Sequence, residues 1–577
     1  MTLSSDRVRG EVRPAKLLVC GLLGLLLAAA LMLLPGVAAA NATRALAQAS
    51  SPSSLATRPL THTDLTSPPD LMALLALQQE WLTAPDGAVQ DRFGYSVAVS
   101  GNTALVGAYN HLDTDGSEGA AYVFTRVVTT DQWIYQTELT PTPNPAPYWD
   151  YDWPVNFGCS VALSGDTALI GADLEGLGIS TFGDMADVGA AYVFVGSGKN
   201  WSQQAELTAS DYEANDRFGN AVALSSDGNT ALIGAYWRGA DSTAPLLPPG
   251  GAYVFRRSNG AWSQQGPALT ASDAADGDFF GSAVAISGNT ALVGAPRPTS
   301  GDIVGPGAVY VFTFDGTRWN GGSKLIAPDG ANGDEFGDAV ALDGPTTALV
   351  GAPNHAFTLD GQGAVYAFTF GTRWTNTAEL SAPDGLADGF GSSVAVDAQT
   401  NTALIGAPTD PVHLVDQGGA YVYRRSGTAW LPQCPALTAS DGTTCGDFGA
   451  AVALSGNIAA VGADEYPCGN CQGAAYVDGL TPAPSPALKA SSRSVSLGKK
   501  VTLSGTVTNF LAAGKTAAID RKVGSKLVLL KKLTISGKGT YHWTLKPNKV
   551  GKWVLLVSYK VGAQTFESKT VTVTVRK

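Results

Sequence analysis

"DRFGYSVAVSGNTALVGA" occupies residues 91–108. It holds a Phe-Gly pair, an alternating Ser-Val-Ala-Val run, a Ser-Gly-Asn turn and a second apolar run ending in Gly-Ala. Period-two alternation on both sides of a tight turn signal reads as a β-hairpin. A lone hairpin is marginal in water. This one recurs. Phe-Gly pairs stand at Phe93-Gly94, Phe157-Gly158, Phe218-Gly219, Phe280-Gly281, Phe336-Gly337, Phe390-Gly391 and Phe448-Gly449. Each leads into a stretch such as "SVAVSG" or "AVAISG", then "TALVGA" or a close variant.

A loop of variable length follows, then "GAAYVF", "GAYVF" or "GAVYVF", and finally a segment opened by Trp, as in "WSQQAELTAS" at 201–210. Each unit thus holds four short strands, and successive units start 54 to 64 residues apart. Four strands per repeat at this period is the signature of a propeller blade. Within the first strand a large residue flanks Ala on each side, as in Val97-Ala98-Val99. Alternate residues of a strand point to opposite faces, so both faces are apolar and one is small. That suits a sheet packed between two neighbours. The Phe of each pair reads as a wedge between blades.

The fourth strand supplies an internal test. Trp-led segments begin at Trp81, Trp133, Trp201, Trp262, Trp319, Trp374 and Trp430. The first precedes every Phe-Gly pair, and none follows the last "GAAYVD". The expectation is an all-β chain: a seven-bladed β-propeller over 78–479, closed by its own N-terminal strand. Closure removes exposed strand edges.

These units resemble the FG-GAP repeats of integrin α-chain propellers, and more closely a bacterial FG-GAP variant with "LTASDG" linkers. Gly-Ala-Pro itself appears only at Gly294-Ala295-Pro296, Gly351-Ala352-Pro353 and Gly406-Ala407-Pro408; the other copies read "GAY" or "GAD". The resemblance implies a binding or adhesion propeller. In integrin-type repeats an Asp-rich calcium loop joins the first two strands. Here that junction is a tight turn, Ser100-Gly101-Asn102-Thr103 or Ser164-Gly165-Asp166-Thr167, too short for a cage of six to eight oxygens. The family's calcium site is not carried over.

Charge divides the chain sharply. Residues 41–485 carry 15 basic against 45 acidic side chains, a net of −30. In an up-and-down blade the second-to-third loop and the blade-to-blade connection share one face, and most of these acids fall there. "DTDGSE" at 113–118 is the best single metal candidate, with Asp113, Asp115 and Glu118 around a Gly turn and Ca²⁺ as the candidate ion. The plainer reading is that Asp and Gly are turn residues. The opposite turns carry Arg126, Lys199, Arg256, Arg257, Arg318, Arg373, Arg424 and Arg425.

"GLTPAPSPA" at 479–487 marks a Pro-rich linker, 480–487, before a tail of different character, 488–577. From residue 486 onward 18 Lys and Arg face only Asp520 and Glu567, a net of +16. About seven alternating segments predict a β-sandwich. The stretch "SVSLGKKVTLSGTV" resembles bacterial Ig-like domains, and the tail is a candidate contact for an anionic cell-envelope polymer. Solvated lysines are the plainer account, and no nucleic acid is expected, because Arg is scarce.

At the other end, Arg7, Arg9, Arg13 and Lys16 precede "LLVCGLLGLLLAAALMLL" and a small-residue ending at Ala38-Ala39-Ala40. Residues 1–40 read as a bacterial secretory signal peptide, with an uncleaved anchor as the alternative, and 41–77 as a flexible leader. The expected location is secreted or cell surface. Export favours disulfides over zinc for Cys434, Cys445, Cys468 and Cys471, for example Cys434–Cys445 and Cys468–Cys471, whereas Cys159 reads as a buried thiol.

No nucleophile elbow, zinc-protease helix or phosphate loop is present in the sequence. His111 beside Asp113 is the one pair to flag. The sequence therefore predicts an exported, non-enzymatic adhesion or binding protein of unknown protein or glycan ligand. The alternatives are a propeller hydrolase acting on polysaccharide through a carboxylate pair, and a structural envelope protein without a specific ligand.

Overall fold

The computed structural model describes residues 79–577 apart from 113–117, 143–154, 175, 180–184, 240–247, 297–298, 301–302, 358–360, 384, 386–388, 398, 410–416, 441–445, 466–470, 481–484, 509–515, 524–525, 535–539, 562–563 and 568–570. The leader and the signal-peptide segment therefore lie outside the described residues. So do Asp113 and Asp115; Glu118 opens a strand described by its backbone alone. The chain divides into two compact units between Gly479 and Leu480, where the composition changes.

The first unit holds seven four-stranded antiparallel sheets. Blade 1 runs Phe93–Ser100, Thr103–Leu112, Glu118–Val127 and Gln132–Leu139. Blades 2 to 6 repeat this order through Leu207, Gln264, Leu325, Leu380 and Leu437. Blade 7 has Val452–Ser455, Ile458–Ala463 and Ala474–Gly479 from the C-terminal end, and its outer strand is Gln79–Leu82. Gln79 pairs with Asp478 and Leu82 with Ala475, so the N-terminal strand closes the ring as expected. Closure also holds on the inside: Phe93 bridges Gly473, and the first strand of blade 1 lies against that of blade 7.

The alternation in the first strand has its expected consequence. Val97 and Val99 belong to a core shared with Ile458, Ala460 and Val477 of blade 7. Ala98, between them, faces Phe157, Ala168 and Ile170 of blade 2. All seven Phe-Gly phenylalanines are fully buried. Phe93 sits edge-on to Tyr122 at 5.4 Å and to Phe124 at 6.1 Å, and Phe157 repeats this with Tyr192 and Phe194.

Glycine stands in both halves of the motif because the neighbouring blade leaves no room for a side chain. At the junction of blades 1 and 2, a Cβ on Gly107 would lie 2.1 Å from the carbonyl oxygen of Gly158. Gly158 itself has φ +93°, and its Cβ would meet the Ala120 carbonyl at 2.4 Å. The glycine of each Gly-Ala thus faces the backbone of the next Phe-Gly, where an added Cβ would lie 1.9–2.1 Å from its glycine carbonyl oxygen in every junction. The two halves of the motif are one contact between neighbours.

The second unit is a two-sheet sandwich, described by itself. Ser485–Ala490, Val501–Thr508 and Thr540–Leu545 form one sheet. Thr516–Val523, Lys526–Thr534, Gly551–Val561 and Val571–Arg576 form the main part of the other. The seven expected strands are present, with short additions at Ser494–Ser496 and Gln564–Glu567. Leu503, Ile519, Trp553, Leu555, Val557 and Val573 fill the space between the sheets. Arg521 stacks on Trp553, 4.0 Å from its ring centre.

Candidate functional site

In each blade the first strand starts, and the second strand ends, at the same mouth of the ring. Two positions there vary in residue type from blade to blade: the residue after Phe-Gly and the residue after Gly-Ala. The latter is Pro296, Pro353 and Pro408 in blades 4 to 6, but Tyr109, Asp173, Tyr236 and Asp464 in blades 1, 2, 3 and 7. The repeat is therefore broken along one arc, and there the surface is concave. A cavity of about 380 Å³ is lined by Tyr95, Tyr109, Asn156, Cys159, Asp173, Asn220, Tyr236 and Ser282.

The arc is aromatic and polar together. Tyr95 and Tyr109 meet edge-to-face at 4.5 Å. Tyr236 packs edge-on to Trp237 and Phe279, which stack on each other at 5.3 Å. Burial raises the phenol pKa of Tyr95, Tyr109 and Tyr236. Asp173 accepts a hydrogen bond from Asn156 Nδ2 at 3.0 Å, and burial pushes its carboxyl above the usual range despite this bond and the Arg217 charge.

A recurring backbone feature positions the charged groups. The residue before Phe-Gly is left-handed in Arg92 (φ 59°), Asn156 (57°), Arg217 (58°), Phe279 (53°), Glu335 (59°) and Asp447 (49°). Such a conformation is uncommon outside glycine and needs the surroundings to hold it. It sends Arg92 back to the preceding blade, where Nη1 meets Asp464 at 3.1 Å and Glu465 at 2.7 Å. Arg217 approaches Asp173 in the same way, at 3.7 Å.

The junction of the first two strands is the tight turn read from the sequence: Ser100 pairs directly with Thr103, and Ser164 with Thr167. Its serine serves packing, since Ser100 Oγ accepts a hydrogen bond from the Gly165 amide of blade 2 at 3.0 Å. No multi-oxygen cage fits there. His111 Nδ1 lies 2.8 Å from Asp91, an acid not flagged in the sequence; Asp113, flagged beside His111, lies outside the described residues. The sequence placed Asp113 nearer along the chain, but the fold brings Asp91, in the connection ahead of blade 1, against the end of the second strand.

Cys159 and Cys471 are free thiols, and burial raises the Cys159 thiol pKa, which makes it a poor nucleophile. Cys445 and Cys468 lie outside the described residues, and Cys434 is described by its backbone alone. The mouth arc was missed by sequence reading. Its signal was the departure from Gly-Ala-Pro, visible as "GAY" and "GAD".

Fold and mouth together define a seven-bladed propeller whose repeat unit is held by paired Phe-Gly and Gly-Ala contacts. The FG-GAP repeat family matches at residues 77–124, 151–194, 201–255, 262–312, 319–368, 374–423 and 432–477, one match per blade. The chain belongs to that family. No curated protein matches it. Among solved structures it is similar to the D00-D0 domain of Intimin, with 15% identity over 31% of this chain and 68% of that chain, and a TM-score of 0.14.

Proposed function

We propose that the protein is an exported, non-enzymatic binding or adhesion protein whose propeller mouth is the recognition platform. One observation carries this reading: the repeat is kept where blades touch and broken along the arc of Tyr109, Asp173, Tyr236 and Asp464, beside a cavity of about 380 Å³. Tyrosine faces bordered by amides and a carboxylate suit a sugar ring or a peptide, through stacking and edge hydrogen bonds. Family membership supports the same class, since integrin-like propellers often serve binding or adhesion. The basic tail is the envelope-contacting module of this reading, as an Ig-like domain holding an anionic polymer. The propeller's acidic loops are its weak Ca²⁺ sites.

The test is a glycan and protein array probed with the chain from residue 41 onward, followed by Tyr109→Ser and Tyr236→Ser variants. Saturable binding that both variants lose supports the mouth as platform. Binding that survives both moves recognition elsewhere, and no saturable binding at all favours a structural envelope role.

A further inference from the structure

Blades 1 and 5 share a constellation that blades 3 and 4 replace. Asp86, His111 and Glu138 present one donor atom each, all within 4.8 Å of one another, and Asp329, His355 and Glu379 do the same. The construction is identical. Each histidine lies three residues beyond the Ala of Gly-Ala, each glutamate pairs across the sheet with the third-strand tyrosine, Tyr122 or Tyr366, and each aspartate belongs to an "APDG" turn. That tyrosine donates to the aspartate, at 3.0 Å from Tyr122 to Asp86 and 2.8 Å from Tyr366 to Asp329.

The histidines are oriented for ligation. His111 and His355 are 5% and 6% exposed. Their Nδ1 atoms are held at 2.8 Å by Asp91 and Asp334, whose same oxygens also accept the Ala88 and Ala331 amides. A carboxylate on Nδ1 fixes the tautomer that offers the Nε2 lone pair, as in carboxylate–histidine–metal arrangements. Each Nε2 has no hydrogen-bond partner among the described residues. It faces its glutamate at 3.8 Å in blade 1 and 3.9 Å in blade 5.

The repeats themselves show what the position takes. In blade 3 the residue three beyond Gly-Ala is Arg238, whose guanidinium reaches Asp211 at 2.9 Å and Tyr253 Oη at 2.7 Å. In blade 4 the residue opposite the third-strand Tyr310 is Lys324, whose Nζ lies 2.7 Å from Asp273, itself bonded to Tyr310. Both blades put a cation of the protein's own against the aspartate and the tyrosine. Blades 1 and 5 have an imidazole and a second carboxylate in its place.

We propose that Asp86, His111 and Glu138, and equivalently Asp329, His355 and Glu379, are two binding sites for a first-row divalent cation of the zinc type. One imidazole and two carboxylates are a borderline donor set that suits Zn²⁺ over the all-oxygen shell of Ca²⁺. Ligands at roughly 2.0–2.2 Å from an ion stand closer together than 4.8 Å, so the ion draws the exposed aspartate inward. Three protein ligands leave a fourth position open to solvent.

The full chain is stripped with chelator and titrated calorimetrically with Zn²⁺, then with Zn²⁺ in excess Ca²⁺. At least two equivalents are expected, undisturbed by Ca²⁺, with one lost in His111→Gln, one in His355→Gln and two in the double variant. Because a buried histidine can also matter to folding, the complementary variant Arg238→His with Ala268→Glu rebuilds the set in blade 3. Ala268 stands beside Leu269, which bridges Ala252 as the fourth strand does elsewhere. That variant should gain one equivalent. Unchanged stoichiometry in the double histidine variant, or equal competition by Ca²⁺, overturns the proposal. So does no zinc uptake by the unsubstituted chain.

Discussion

The two arcs of the propeller mouth are built on the same backbone and differ in what they show to solvent. Blades 4 to 6 end their second strand in Gly-Ala-Pro, whereas blades 7, 1, 2 and 3 place Asp464, Tyr109, Asp173 and Tyr236 there. Below this level the arcs are alike: Gly351 meets Gly391 as closely as Gly107 meets Gly158. The difference teaches where the repeat is constrained. Inter-blade backbone contact fixes glycine and phenylalanine in every copy, and the next residue outward is released for recognition.

The largest expected effect tests the constrained layer. Gly107→Ala drives a methyl into the Gly158 carbonyl, and the blades must separate or shift. We expect a loss of at least about 3 kcal/mol, seen as a lower urea midpoint. Gly101→Ala is the control. It meets nothing within 4 Å but has φ +58°, so about 1 kcal/mol should be lost. Equal losses at both sites would sink the close-contact account.

Blade 7 sharpens the comparison from another side. Where blades 1 to 5 have a third-strand phenylalanine, such as Phe124, it has Asp478, 7% exposed, with its carboxylate bonded by Gln79 of the closing strand at 3.0 Å. Burial pushes this carboxyl up to about 6, against the lowering effect of Gln79. A raised folded-state pKa means that the associated stability is present at low pH and is lost as pH rises from about 4 through about 6. Asp478→Asn keeps the shape without the charge. It should stabilise the chain at pH 7.5 by about 2–3 kcal/mol and flatten the pH dependence of unfolding between those limits. An unaltered pH profile in this variant would remove Asp478 as its source.

Smaller changes separate the arcs. Arg92→Gln deletes the link between blade 1 and Asp464 of blade 7. Because the arginine is partly exposed, the expected loss is about 1 kcal/mol and should shrink in high salt. Smallest on stability are Tyr109→Ser and Tyr236→Ser, expected within about 0.5 kcal/mol by thermal unfolding, while ligand binding disappears. A large stability loss in either variant would make the tyrosines structural and erase the distinction between arcs.

The ring was legible because seven copies supplied the test that one hairpin lacks. Seven Trp-led segments with one out of place required the Gln79–Leu82 strand to complete the last blade. The mouth was half legible: "GAY" and "GAD" stood out as exceptions, but nothing in the spacing said that Tyr95, Asn156, Asn220 and Tyr236 line one cavity. The acid–histidine clusters were less legible still. Asp86 and Glu138 lie 25 residues before and 27 after His111, so proximity along the chain pointed to Asp113 instead of Asp91.

Strand count, blade number, ring closure and the tight first turn were determined by the sequence alone, because they follow from local periodicity repeated in register. Which side chains meet was decided by tertiary structure. Three separate segments converge at each blade end, and the left-handed residue ahead of Phe-Gly turns Arg92 onto a blade that lies 372 residues away in the chain. Local pattern carries no information about such convergence. It arises only when loop ends from different strands are fixed on one rigid rim.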